Sequence, residues 1–317
     1  MRLLITGANG LLGLNLALEA SRTHEIIGLD RGKLPSAPFR IIQRDLLDKD
    51  AVSEVLDELR PEAVIHCAAI ADVDACEQRP TLAHLTNAEL PQRLAEACAR
   101  HAIRLIHIST DAVFGGDKQD AYVETDAPDP RGIYAITKLE GERAVLQAYP
   151  AATVARVNFY GWSLSGKRSL AEFFVNNLSR GSNVNGFTDV NFCPMFVGHL
   201  AGILMLMLPR EMPGIYHAVG PQAMTKYQFG VEIARKFGLR SSLIAPQSVE
   251  RAGLSAHRSH NLWLSTHKLS TELGLELPEF STGLDAFHAQ YGQGYPQKIR
   301  SYQQTLTGRL RAAQGDN

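Results

Sequence analysis

Residues 2–13 read RLLITGANGLLG. Arg2–Thr6 is a short apolar run that reads as a strand, and it breaks at Gly7 into a glycine-rich turn. Leu12, Leu14, Leu16 and Leu18 then belong to a helix. Gly7 and Gly10 permit a tight turn around Asn9 and let backbone amides reach a pyrophosphate, while Gly13 allows close packing of helix on strand. The start of the helix, at Leu11 and Leu12, faces the anion. The spacing is GxxGxxG, which departs from the GxGxxG fingerprint, but the loop lies between a strand and a helix. An acid, Asp30, follows 17 residues after Gly13, near the distance expected of a ribose-binding carboxylate.

Working outward, the chain to about Tyr149 alternates short apolar runs with segments of helical period. Strands are expected at Arg2–Thr6, Glu25–Asp30, Arg40–Gln43, Ala63–Cys67 and Arg104–Ile108, with helices at Leu11–Ser21, Lys49–Leu59 and Thr81–His101. This is the pattern of an α/β fold, a doubly wound parallel sheet of Rossmann type. After Pro150 the alternation loosens into a strand at Thr153–Asn158 and helices near Leu170–Ser179, Phe196–Leu208 and Lys226–Phe237. The organisation expected is a dinucleotide-binding domain over 1–160 and a smaller substrate-binding lobe over 161–295, interleaved with the sheet. A polar tail over 296–317 is read as frayed or contacting another subunit.

Composition restricts the partners. Lys plus Arg total 32 against 33 Asp plus Glu, so no global basic field collects nucleic acid or an anionic membrane. Any anionic ligand must be held by a local site. The four cysteines form no CxxC pair and no zinc-ligand spacing, so no metal is expected. The N-terminus meets glycine too early for a secretory signal, and the apolar stretch Leu200–Leu208 is too short to span a bilayer. A cytoplasmic location is the expectation.

The chemistry is read from Tyr134 and Lys138, a tyrosine and a lysine at i and i+4 of a helical segment, pointing from one face. A phenol is a poor acid near neutrality, but an ammonium one turn away favours the phenolate and lowers its pKa. The fifth strand ends in Ser109-Thr110-Asp111-Ala112-Val113-Phe114. Hydroxyls at the carboxyl end of a parallel strand stand over the crevice where such sheets bind ligands. Ser109 or Thr110 could therefore orient a substrate carbonyl toward Tyr134.

These residues, in this order, resemble the extended short-chain dehydrogenase/reductases, and within them the dTDP-4-dehydrorhamnose reductase group. That group shares the STDxVF run at Ser109–Phe114, a stretch like Ala68-Ala69-Ile70-Ala71-Asp72-Val73-Asp74, and the approach Tyr122-x-Glu124-x-Asp126-x-Pro128-x-Pro130. The likeness covers most of residues 1–160 and continues more loosely through Phe187-Thr188-Asp189 and Arg258–Leu269. It implies that Tyr134 donates a proton to a carbonyl oxygen and that Lys138 lowers the tyrosine pKa and bonds the nicotinamide ribose. Thr110 would polarise the carbonyl. The Ala69–Val73 loop, with Ile70 and Ala71, would line the nicotinamide and sugar pocket beside Ala68, and Asp111 would lie on the same side. Arg258 is either a contact for a substrate diphosphate or a solvated arginine.

Several alternatives stay open. Asp30 favours NAD through a 2′-hydroxyl, whereas Arg31 could pair with the 2′-phosphate of NADP. Asp45 and Leu46 sit at the adenine edge, unless Asp45 caps the next helix. Asn158, Tyr160 and Trp162 either line the substrate pocket or pack as an aromatic corner. His66 and His107 read as core histidines satisfied by backbone bonds. The leading function is NAD(P)H-dependent reduction of the 4-keto group of a nucleotide-linked 6-deoxysugar, with a homodimer expected by analogy. The competing readings are a regulatory subunit like that of methionine adenosyltransferase, which binds the dinucleotide without turnover, and a reductase or epimerase of another sugar or small carbonyl compound.

Overall fold

Strand β1 (Arg2–Thr6) is buried at every position after its first, which a strand achieves only when both faces of its sheet are covered. The computed structural model describes residues 1–253 and 259–304. β1 pairs with β2 (Glu25–Asp30) on one side and β4 (Ala63–His66) on the other, both parallel. With β3 (Arg40–Gln43), β5 (Arg104–Thr110), β6 (Thr153–Val157) and β7 (Gly214–Ala218) they form a seven-stranded parallel sheet of order β7-β6-β5-β4-β1-β2-β3. The strand order reverses between β1 and β4, and a crevice at the carboxyl ends of the strands opens at such a point. The doubly wound parallel fold expected from the alternation is borne out.

Successive residues of β1 feed opposite layers. Leu3 and Ile5 pack with Leu14 and Leu16 of α1 (Leu11–Ala20) and with Leu200 and Leu204 further along the chain. Leu4 packs on the other face with Val52 and Val55 of α2 (Ala51–Leu59) and with Leu94 and Val145. The helix expected over Thr81–His101 is continuous and carries one π-helical turn. After α3 (Val73–Gln78), α4 (Pro80–His84) runs through a π-helical turn, Leu85–Glu89, into α5 (Leu90–Arg100). Asn87 in the π turn is fully buried, and its side chain bonds the Ile70 backbone and the Thr137 hydroxyl.

Helix α6 (Ile133–Ala148) follows β5, and α7 (Leu170–Ser179) follows β6, opened by a capping box between Ser169 and Glu172. Beyond it lie short strand pairs, Val184–Phe187 beside Ile244–Gln247 and Asn191–Phe192 between Met224–Thr225 and Asn261–Leu262. In the stretch read as a polar tail, Tyr295–Ser301 is helical, and Ile299 and Tyr302 are buried. The Tyr295 hydroxyl donates to Asn15 Oδ1 at 2.8 Å, and Ser36 bonds the backbone of Tyr302 and Gln304. Ile299 and Tyr302, three residues apart, pack in one core cluster with Leu14 and Leu34, so the described part of this segment is not frayed. Among the described residues no helix is long and apolar enough to cross a membrane.

Candidate active site

A cleft of about 420 Å³ runs along the carboxyl ends of β1, β2, β4, β5 and β6. Its floor is the turn from Gly7 to Gly13. Gly7 has φ +67°, and a Cβ there would lie 2.7 Å from the backbone nitrogen of Ala68; a Cβ on Gly13 would lie 2.2 Å from the Gly7 carbonyl oxygen. Only glycine lets loop, helix and β4 approach this closely. The first bond of α1 runs from Leu14 to the Gly10 carbonyl, and Gly10 offers no side-chain cap. The amides of Leu11, Leu12 and Gly13 thus precede the helical bonding pattern, and no acidic side chain occupies the first turn. A dinucleotide pyrophosphate fits those donors.

At the far end of the cleft, Asp30 is committed to local bonds. Its carboxylate accepts the amides of Asn9 at 3.1 Å and Gly32 at 2.9 Å, which fixes the turn and leaves room for a ribose hydroxyl on the remaining lone pairs. Arg31, Arg44, Asp45 and Leu46 line the same end. Asp45 does not cap the next helix. Its Oδ1 accepts Leu47 N at 3.0 Å, whereas Asp50 occupies the cap position of α2.

At the other end Thr110, Tyr134 and Lys138 share one wall. The Lys138 ammonium donates to the carbonyl oxygen of Ile108 at 2.6 Å. Burial pushes Lys138 down to about 8, opposed first by the charge of Glu142. The Lys138 ammonium, expected to acidify the phenol, is not among the groups that act on it. Burial pushes Tyr134 up to about 12, with the Thr110 hydroxyl pulling the other way and Asp111 adding to the rise. The reason is that the lysine is turned onto Ile108, while the phenolate would pay for desolvation at a wall with a buried carboxyl beside it.

Next to this wall, Thr110 donates to Asp111 Oδ1 at 3.1 Å and Asn158 Nδ2 donates to Asp111 Oδ2 at 2.6 Å. Asp111 is buried, and desolvation raises it to about 6 against the bonds from Asn158 and Thr110. Ala68, Ala69 and Ala71 line the cleft, as expected, but Ile70 and Val73 do not. The backbone of Ile70 is gripped by Asn87, whose Oδ1 accepts its amide at 2.9 Å and whose Nδ2 donates to its carbonyl at 3.1 Å; Val73 opens α3. Trp162 is core. It is 1% exposed, stacks on Phe287 at 4.1 Å between ring centroids, and donates to the Phe287 carbonyl at 3.2 Å. Phe159 takes the place at the cleft that the aromatic corner suggested for its neighbours. Tyr160 is also buried. Arg258 lies outside the described residues.

The core histidines differ from the expectation in their partners. His66 Nδ1 meets the Thr6 hydroxyl at 2.7 Å, and neither ring nitrogen of His107 has a hydrogen-bond partner among the described residues. Residues missed in the sequence are Phe159, Arg44, Thr86 and Arg168 on the cleft and Asn87 behind it. A signal existed for Asn87, a lone amide in the apolar period of its helix, but it falls in the π turn.

This chain is similar to several known proteins. It is 32% identical over 292 residues to the probable low-salt glycan biosynthesis reductase Agl14 of Haloferax volcanii, covering 90% of this chain and 97% of the relative. It is 34% identical over 273 residues to the dTDP-4-dehydrorhamnose reductase of Mycobacterium tuberculosis, covering 84% and 86%. Methionine adenosyltransferase 2 subunit beta of Danio rerio is 32% identical over 286 residues, covering 87% and 86%. Among solved structures, the dTDP-4-dehydrorhamnose reductase of Bacillus anthracis in complex with NADP superposes with a TM-score of 0.83 at 26% identity, covering 91% of this chain and 99% of that one. The family model described as RmlD substrate binding domain matches residues 1–293, and the chain belongs to that family, within the extended short-chain dehydrogenase/reductases.

Proposed function

We propose that this protein reduces a keto group with NADPH or NADH, and that its substrate is the 4-keto group of a nucleotide-linked 6-deoxysugar. The observation that carries the reading is the convergence of Thr110, Tyr134 and Lys138 on one wall of the cleft whose floor is the Gly7–Gly13 turn. The reduced nicotinamide supplies a hydride. The amides of Leu11, Leu12 and Gly13 would hold the pyrophosphate, and Asp30 with Arg31 the adenine ribose. Lys138, charged near neutral pH, would turn toward the nicotinamide ribose. The high pKa of Tyr134 keeps the phenol protonated, the form that a proton donor to a developing alkoxide needs. Thr110 would orient the same oxygen. The similarity to sugar-nucleotide reductases supports the substrate class.

The test is the loss of reduced-nicotinamide absorbance on mixing with a panel of dTDP- and UDP-linked 4-keto-6-deoxysugars. Turnover is expected with at least one of them, and Tyr134→Phe should lower kcat by about 10²–10⁴-fold while cofactor still binds. A second reading, a dinucleotide-binding regulatory subunit without turnover, is favoured by the likeness to methionine adenosyltransferase 2 subunit beta. It predicts cofactor binding with no consumption on any substrate of the panel. Retention of all three of Thr110, Tyr134 and Lys138 on one wall favours catalysis, because binding alone does not need a proton donor there.

A further inference from the structure

Helix α6 carries three polar residues at successive turns, Tyr134, Lys138 and Glu142, and each is matched to one residue at the end of β5. Thr110 lies at the Tyr134 phenol, Ile108 takes the Lys138 ammonium at 2.6 Å, and the Ser109 hydroxyl donates to Glu142 Oε1 at 2.5 Å. Glu142 does not line the cleft, yet it is 1% exposed. Its two oxygens accept Arg156 Nε at 2.9 and 3.2 Å, and Oε2 accepts Arg156 Nη2 at 2.7 Å. Arg156, on β6, is equally buried, lies 4.9 Å from the centroid of the Phe114 ring, and leaves Nη1 without a hydrogen-bond partner among the described residues. An ion pair this deep gains little stability over apolar packing, so its place asks for another reason.

We propose that Glu142 is a positioning residue of this site, which holds α6 in register with the end of β5 and supplies the counter-charge of the Lys138 ammonium. The inference deepens the reductase reading and rests on it for what the lysine is used for. The other groups facing Lys138 cannot serve as its counter-charge. His66 on β4 and His107 on β5 are buried and neutral, the Cys67 thiol is pushed up to about 12 by burial, and the Tyr134 phenol stays protonated. Arg156 carries the wrong sign. The charge of Glu142, one helical turn away, most strongly opposes the fall of Lys138 to about 8. A neutral residue there would leave the lysine with a large neutral fraction at physiological pH, and an amine cannot compensate a ribose-bound network in the way an ammonium does.

The experiment is an NMR titration of lysine side chains labelled with 13C and 15N in the unliganded protein, with the Lys138 signal assigned by Lys138→Arg. In Glu142→Gln the midpoint of Lys138 should fall by roughly one pH unit, about tenfold in the ratio of ammonium to amine. In Glu142→Asp, which keeps the carboxylate, it should stay near wild type, even though both variants lose thermal stability. Glu142→Gln strands a buried guanidinium, so the titration is repeated in Glu142→Gln/Arg156→Met, where no charge is left unpaired and the midpoint should still lie below wild type. An unchanged midpoint in that double variant, or an equal fall in Glu142→Asp, would overturn the proposal and leave the pair a structural tie. Neither substrate nor cofactor enters this measurement, so failure of the turnover assay would sink the reductase reading without touching it.

Discussion

The Lys138 ammonium donates to the carbonyl oxygen of Ile108 at 2.6 Å from a site where the side chain is 2% exposed. A buried lysine pushed down to about 8 disfavours the fold while it is charged. Its folded pKa lies below its unfolded value of 10.5, so the unfolded chain binds more protons between those limits and stability rises with pH from about 8 to 10.5. Lys138→Met should remove that rise, abolish turnover, and stabilise the protein at neutral pH by about 1–3 kcal/mol, less than the full shift because Ile108 loses its donor. Denaturant unfolding of both proteins at several pH values measures the difference.

Asp111 behaves in the opposite sense. Desolvation raises its pKa to about 6, so the carboxyl favours folding below the unfolded value of 3.8 and loses that contribution as pH rises through 6. Because it sits between Thr110 and Asn158, its ionisation changes what the Thr110 hydroxyl can donate to. The kcat profile is expected to show an inflection near pH 6 that Asp111→Asn removes. A pH series of turnover for the two proteins checks it.

Three buried histidines should set the acid limit. His66 and His217 are each pushed down to about 3, chiefly by burial, and His107 also lies well below 6.5. Depressed values mean that stability is lost as pH falls below 6.5, at up to about 1.4 kcal/mol per pH unit for each ring. His66→Gln, which can keep a bond to Thr6, should flatten the decline of Tm between roughly pH 6 and 4 by one ring's share.

Arg31 is exposed on the cleft, next to an Asp30 carboxylate already bonded to two amides. Arg31→Ala is expected to weaken NADPH by roughly tenfold and NADH much less, since a charge-assisted bond to a 2′-phosphate contributes about 1.5–3 kcal/mol at most. Fluorescence titration with each dinucleotide reads the ratio.

Trp162→Ala should act on stability alone. The indole is packed between Phe287, Tyr291 and Phe237. Its loss should cost about 3–5 kcal/mol, read as a fall in Tm, and leave dinucleotide affinity unchanged.

Much of this protein was legible along the chain. The strand, glycine turn and helix of residues 2–20 and the five first strands depend on local apolar period and on backbone freedom, which neighbouring residues express directly. The Tyr134/Lys138 spacing was legible for the same reason, since i and i+4 share a helix face. Side-chain partners chosen across the sheet were not. Trp162 and Phe159 are three residues apart, and nothing in their order says which enters the core and which meets the cleft. Asn87 lies in a π-helical turn that apolar spacing does not announce.

The amino-acid order alone determined where the glycine turn of residues 7–13 and the Tyr134/Lys138 pair occur, because each is a short-range pattern. Folding decided the charge states. Whether Tyr134 is acidified or kept protonated depends on how far β5 and α6 withdraw it from water and on where Lys138 points, and both are set by packing between segments more than twenty residues apart. Desolvation acts through all surrounding atoms at once, so it belongs to the assembled tertiary structure and to no single motif.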